Sequence, residues 1–142
     1  MSLVKRVAYM ILMTEGVTNM AIFGPLMYVF PEEFGIRPFI PEGVQVDGIS
    51  RTFARMLGGM ISTLGGYCLV QALRKGGDVE DIILSAFLVG DFLYVGSFAN
   101  WAYHMNFWPA TSEFNVLYGL LLPLCRIIYV KEKWMRSCNK HE

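Results

Sequence analysis

The sequence contains few charged residues. Only 17% of its 142 residues are Asp, Glu, Lys or Arg, whereas about 25% is usual for a soluble domain. The 12 basic and 12 acidic residues also cancel, so no net field attracts nucleic acid. Hydrophobic residues make up 54% and aromatic residues 14% of the chain, which is too apolar for intrinsic disorder. This composition predicts an integral membrane protein.

Cysteine and histidine are also scarce. Cys68, Cys125 and Cys138 include no CxxC pair and have no histidine at metal-ligand spacing, so we expect neither a disulfide framework nor a metal site. The chain lacks the GxSxG, HExxH, P-loop and GxGxxG signatures of common enzyme classes. No pair of intramembrane histidines is present to ligate a haem. The sequence therefore predicts no cofactor and no catalytic residue.

Four apolar segments dominate the chain. They cover residues 7–30, 51–73, 82–103 and 114–130, and at 1.5 Å per residue each is about 25–36 Å long, close to a hydrocarbon core of about 30 Å. None alternates apolar and polar residues as a membrane-spanning strand does. No repeat or linker divides the sequence. We therefore predict an all-α, polytopic membrane protein, a single domain over residues 1–142 that forms a bundle of four transmembrane helices.

The connections differ in length and charge. Residues 31–50 contain three prolines and three glycines, which predicts an ordered, non-helical cap over the bundle. Residues 74–78 form a short helix stop, and residues 131–142 form a basic tail. Basic residues concentrate at the N-terminus, the 74–78 loop and this tail, so the positive-inside rule places both termini on the cytoplasmic, matrix or stromal side. We expect the membrane to be the endoplasmic reticulum or an organelle inner membrane, with anionic lipid beside the tail.

Three ionisable residues lie within the apolar segments, where charge is costly. From the helical rise, Glu15 and Asp91 are about 12–14 Å from the positive side of the membrane and Arg126 is about 6 Å from it. The long Arg126 side chain can reach either acid, and a pair would offset much of the desolvation cost. The three residues are predicted to form one polar cluster. A structural pair that holds the helices in register and a chemical role for the acids both remain open.

A second polar group is predicted near the opposite membrane face. Its members lie at the start of the second segment, at the end of the third and at the start of the fourth: Arg51, Arg55, Asn100, His104 and Glu113. The arginines and Glu113 are close enough to the interface to be snorkelling or capping residues. His104 fits an interfacial histidine that is satisfied by its surroundings. We call these five residues the outer tier, and their role can be structural as well as functional.

Small residues recur at four-residue steps in the second segment: Ala54, Gly58, Ser62 and Gly66. Such a stripe lets another helix backbone approach closely. The approaching helix can belong to the same bundle or to a partner subunit, and the sequence leaves both open.

The order of these features resembles a known family. A glutamate midway along the first segment precedes Gly24-Pro25 and Pro31, Ser50-Arg51-Thr52-Phe53 opens a glycine-rich second segment, and Gly90-Asp91 lies in the third. Together they resemble the Erg28-like small integral membrane proteins, of which the Arg-Thr-Phe run is the closest match. The chain departs from them at Asp91, where family members often carry His. The resemblance implies a non-enzymatic scaffold that tethers partner enzymes in a membrane.

Three functions are consistent with these features. The first is a non-catalytic accessory or scaffold subunit that docks larger membrane-protein subunits of a lipid-pathway, respiratory or photosynthetic complex. The alternative is an isomerase or cyclase acting on a sterol or terpenoid, with Glu15 or Asp91 as the buried acid and Tyr9, Tyr94 and Trp101 as aromatic walls. The third is an ion or proton path through the polar cluster, which would require an oligomer.

Overall fold

The computed structural model describes residues 3–105, 108 and 112–138, with side chains at 3–104, 108 and 116–130. Every regular element in these residues is helical, which confirms the all-α prediction. The elements in chain order are α1 (Leu3–Val29), α2 (Pro31–Gly35), a 3-10 turn (Arg37–Phe39), α3 (Gly48–Lys75), α4 (Gly77–Met105) and α5 (Ser112–Cys138).

The observed helices are longer than the apolar segments. Helix α5 continues to Cys138, so most of the predicted tail is helical. A five-residue loop was predicted between α3 and α4, whereas the structure connects them through Gly76 alone. Gly76 and its neighbour Gly77 have φ angles of +67° and +71°, a conformation that glycine adopts without steric cost. Apolar patterns locate the part of a helix that faces lipid or core, and they miss its polar ends.

The prediction of a non-helical cap is wrong over residues 31–39. Pro31 starts α2 and Glu32 and Glu33 occupy its first turn, which is the arrangement that a proline ring and a helix dipole favour at an N-terminus. The chain is extended or turned before Asp47, whose carboxylate accepts a hydrogen bond from the Ser50 main-chain N–H at 2.7 Å and caps α3.

Three helices are long and apolar enough to cross a membrane: Leu3–Val29, Gly48–Lys75 and Gly77–His104. Helix α5 has a shorter apolar part, Val116–Val130. At the end of the bundle that contains residue 3, all four long helices meet around a core. Its members are Ala8, Leu12, Leu69, Leu73, Leu84, Leu122, Cys125 and Tyr129. Toward the other end α1 packs mainly on α3, while α4 and α5 pack on each other.

The small-residue stripe of α3 lies against α1. A Cβ atom on Gly66 would come within 2.6 Å of the Met20 main-chain nitrogen, and one on Gly58 within 2.7 Å of the Tyr28 nitrogen. Ala54 is buried beside Gly35 of α2. The stripe therefore packs against helices of the same chain.

Both helices adopt π-helical geometry where they cross. The segments are Asn19–Phe23 in α1 and Ile61–Cys68 in α3. Such wide turns are rare and are often found at functional or specialised positions of a helix. The Ser62 hydroxyl donates to the Met20 carbonyl at 3.2 Å across this contact. The crossing therefore combines close backbone approach with interhelical hydrogen bonds.

Candidate functional site: a buried arginine between two acids

The structure brings Glu15, Asp91 and Arg126 together from α1, α4 and α5. Arg126 donates from Nη2 to Glu15 Oε1 at 2.5 Å and from Nη1 to Asp91 Oδ2. Each guanidinium arm thus binds one carboxylate, and three helices are joined through one side chain. Arginine suits this role because its planar fork offers several donors in fixed directions.

The cluster is inside the protein. The Arg126 side chain is fully buried, that of Glu15 is 5% exposed and that of Asp91 is 16% exposed. The guanidinium carbon also lies 5.2 Å from the centre of the Phe87 ring, close enough for a cation–π contact. Removing one partner from such a cluster is expected to be strongly destabilising, because the remaining charge stays buried.

Two polar atoms of the cluster have no hydrogen-bond partner among the described protein atoms. They are Glu15 Oε2 and Arg126 Nε, and both are buried. Leaving a buried polar group unpaired costs about 1–3 kcal/mol. The cluster therefore satisfies one oxygen of Glu15 and leaves the other without a partner among the described protein atoms.

A groove of about 600 Å³ lies beside Glu15. It is lined by residues of α1 and one residue of α5: Val7, Met10, Ile11, Thr14, Glu15, Thr18, Phe23 and Tyr118. This volume is within the range of about 300–1,000 Å³ that is typical of small-molecule sites. Tyr9, Tyr94 and Trp101, the aromatic walls expected for a cyclase, are absent from this lining. Tyr94 and Trp101 instead pack on Phe98 along α4.

The structure does not join the members of the predicted outer tier. Among the described side chains, no hydrogen bond or ion pair connects Arg51 or Arg55 with Asn100 or His104, and all four are exposed. The Glu113 side chain lies outside the described residues. Arg51 binds Glu32 instead, with 2.9 Å between Nη2 and Oε2.

Glu32 joins α2 to α3 and to the turn that follows α2. Its carboxylate accepts hydrogen bonds from Arg37 Nη2 at 2.7 Å and from Arg51 Nε at 3.0 Å. These bonds from Arg37 and Arg51 lower the pKa of the Glu32 carboxyl. A hydrogen bond from Ser50 likewise lowers the pKa of Asp47, at the start of α3. Ion pairs centred on Glu32 thus help to hold the connection between α1 and α3.

Sequence analysis missed several residues of these sites. Glu32 and Asn19 were not singled out, although the five-residue spacing from Glu32 to Arg37 and an amide side chain within an apolar segment were visible signals. Phe87 and Tyr118 lie beside the cluster and the groove, but aromatic residues are too common in this chain to be distinguished. Among the described residues, no group of three His, Cys, Asp or Glu side chains could hold a metal ion.

Comparisons of the chain with protein-family models, curated proteins and solved structures find no match. The resemblance to Erg28-like proteins therefore stays a prediction.

Proposed function

We propose that the protein is a non-catalytic accessory or scaffold subunit of a membrane-embedded complex. In this proposal α1, α3, α4 and α5 all cross the membrane, with both termini on the cytoplasmic, matrix or stromal side. The length and apolar character of α1, α3 and α4 support three of these spans. Helix α5 has 27 residues in total, which is long enough for a fourth.

The proposal rests on one exposed side of α4. Its residues recur at steps of three and four and are all exposed: Ala86, Gly90, Leu93, Ser97, Asn100 and His104. At about 100° per residue they point within about 40° of one direction. The opposite side of α4 contains buried or half-buried residues such as Leu84, Asp91 and Val95. We call the exposed set the outer face of α4.

The chemistry of this face fits a protein partner better than lipid. Lipid tails have no hydrogen-bonding groups for the hydroxyl of Ser97 or the amide of Asn100, whereas a neighbouring helix can form hydrogen bonds with both. Ala86 and Gly90 add the small side chains that allow a second backbone to approach. In the most apolar part of α4 only 6% of residues are buried by the rest of the chain, against 28% in α1 and 33% in α3. Of these three helices, α4 therefore has the largest share of its surface available for docking.

Two further observations support a docking role. The stripe of α3 is already occupied by α1, so α4 provides the external contact. Tyr9, Tyr94 and Trp101, the residues expected as the aromatic walls of a cyclase, do not line the groove beside Glu15, so the enzymatic alternative in that form has no support. The resemblance to Erg28-like proteins implies the same scaffold role.

Native purification in digitonin followed by quantitative mass spectrometry tests the proposal. We expect larger membrane subunits at fixed stoichiometry, and Ser97→Leu should release them because it removes the hydroxyl and adds bulk. Ala99→Leu is the matched control, since Ala99 is also exposed but points about 140° away from the outer face. Loss with Ser97→Leu and retention with Ala99→Leu would support docking through this face. A protein without stoichiometric partners, or equal behaviour of both variants, would refute it.

A further inference from the structure

The groove between α1 and α5 has apolar walls and a polar floor. Val7, Met10, Ile11 and Phe23 provide hydrocarbon and aromatic surface along α1. Glu15 lies at the floor and is itself only 6% exposed. Val7 and Met10 are 48% and 66% exposed, so the groove opens on the outer surface of the bundle. In a membrane that surface faces the bilayer, and a molecule dissolved in the bilayer can enter directly.

The floor has one unmet hydrogen-bond requirement. Arg126 binds Glu15 Oε1 and thereby fixes the orientation of the carboxyl group. The second oxygen, Oε2, is buried and has no partner among the described protein atoms. Water has little access to an atom at this depth in an apolar groove. A bound molecule that forms a hydrogen bond with Oε2 is therefore stabilised by that bond.

We propose that this groove binds an apolar alcohol from the bilayer, whose single hydroxyl pairs with Glu15 Oε2 while its hydrocarbon lies along α1. A hydroxyl can both donate and accept, so it matches Oε2 whether the carboxyl group is ionised or protonated. A plain acyl chain leaves the oxygen unpaired, and a phosphate headgroup would bring negative charge next to Glu15. An ammonium group carries three donors, more than a single unpaired oxygen can satisfy. The site is separate from the outer face of α4 and does not depend on the proposed docking function.

Photo-crosslinking of the purified full chain in lipid nanodiscs tests this inference. Two probes are used, a photoreactive alkyne-bearing sterol and a photoreactive alkyne-bearing isoprenoid alcohol, each in competition with its unlabelled alcohol or with a deoxy analogue that lacks the hydroxyl. We expect labelled peptides from residues 3–29 and 116–130, and at least tenfold stronger competition by the alcohol than by the deoxy analogue. Which of the two probes labels the groove identifies the class of alcohol.

Variants test whether the groove and its floor bind the probe. Glu15→Leu removes the proposed partner atom and should reduce labelling at least tenfold, whereas Val17→Leu changes an exposed side chain of α1 that does not line the groove and should preserve it. Because Glu15→Leu can disturb folding, Met10→Trp offers an independent test that fills the groove and leaves Glu15 intact; it should also reduce labelling at least tenfold. Equal competition by alcohol and deoxy analogue, labelling spread over all helices, or unchanged labelling of Met10→Trp would each overturn the inference.

Discussion

The side-chain amide of Asn19 donates a hydrogen bond to the main-chain carbonyl of Gly65 at 3.2 Å. The two residues belong to the π-helical segments of α1 and α3, which cross at this point. The Ser62 hydroxyl of α3 returns a bond to the Met20 carbonyl of α1. Each segment thus accepts a hydrogen bond from a side chain of the other, and this exchange fixes the register of the two helices.

Replacing Asn19 with Leu should destabilise the protein modestly. Interhelical hydrogen bonds in membrane proteins contribute about 0.6 kcal/mol on average and up to about 1.7 kcal/mol, so we expect a loss in this range. The free energy of unfolding, measured by SDS titration in mixed micelles, gives the value. Thr63→Val is the control, because among the described residues the Thr63 hydroxyl bonds to the Gly59 and Met60 carbonyls of its own helix and to no other helix. A loss for Asn19→Leu no larger than that for Thr63→Val would contradict this role.

Replacing Gly66 with Ala should be more damaging than replacing Gly59. A Cβ atom on Gly66 would lie 2.6 Å from both the Met20 nitrogen and the Met20 Cβ, whereas one on Gly59 would meet nothing within 4 Å. Because backbone cannot yield as a side-chain tip can, we expect Gly66→Ala to cost about 1–3 kcal/mol, as overpacking usually does. Gly59→Ala should be neutral or slightly stabilising. Unfolding in the same micelles compares the two, and equal stabilities would argue against the observed contact.

Removing Arg126 alone should be the most destabilising single change in the polar cluster. Arg126→Met leaves the buried Glu15 and the half-buried Asp91 without their cation, and breaking a buried pair from one side typically costs about 3–5 kcal/mol. The triple variant Glu15→Gln, Asp91→Asn, Arg126→Met removes the charges together and should recover most of that loss. Folded yield and unfolding free energy measure both. If the triple variant were as unstable as Arg126→Met, uncompensated charge would not be the cause.

Acidification should loosen the connection between α1 and α3 through Glu32. Arg37 and Arg51 lower the pKa of Glu32 below its ordinary value of 4.5, so the folded state binds the proton less tightly than the unfolded state. The stabilisation is therefore complete above pH 4.5 and is lost as pH falls through the lower, folded-state pKa. Hydrogen exchange of residues 31–50, followed downward from pH 6, should show this loss.

Glu32→Gln should remove the pH dependence of exchange in that connection. Glu33→Gln is the matched control, because Glu33 is an exposed neighbour in the same short helix and does not contact Arg37 or Arg51 among the described ion pairs. If both variants lost protection over the same pH range as the unmodified chain, Glu32 would not be the group that titrates.

The helical rise per residue and the cost of burying charge were sufficient to predict the polar cluster from the sequence. They placed Glu15, Asp91 and Arg126 at compatible depths, and the structure has Arg126 bound to both acids. The same reasoning did not find the π-helical crossing, because a π turn depends on how two particular helices pack rather than on local composition. It also grouped Arg55 with Asn100 by their equal depth, and Arg51 with Arg55 because the two lie one helical turn apart. Depth along a helix does not specify rotation around it, and Glu32 was the nearer partner for Arg51.

The ion pair between Glu15 and Arg126 spans 111 positions of the sequence, and this separation affects how the protein is made. At a synthesis rate of about 5–20 residues per second, Arg126 emerges from the ribosome roughly 6–22 seconds after Glu15. Over that interval the nascent first helix carries an acid without its cation. A chain that ends before α5 retains this acid without its cation. The pairing that neutralises this acid is therefore among the last contacts of the fold to become possible during synthesis.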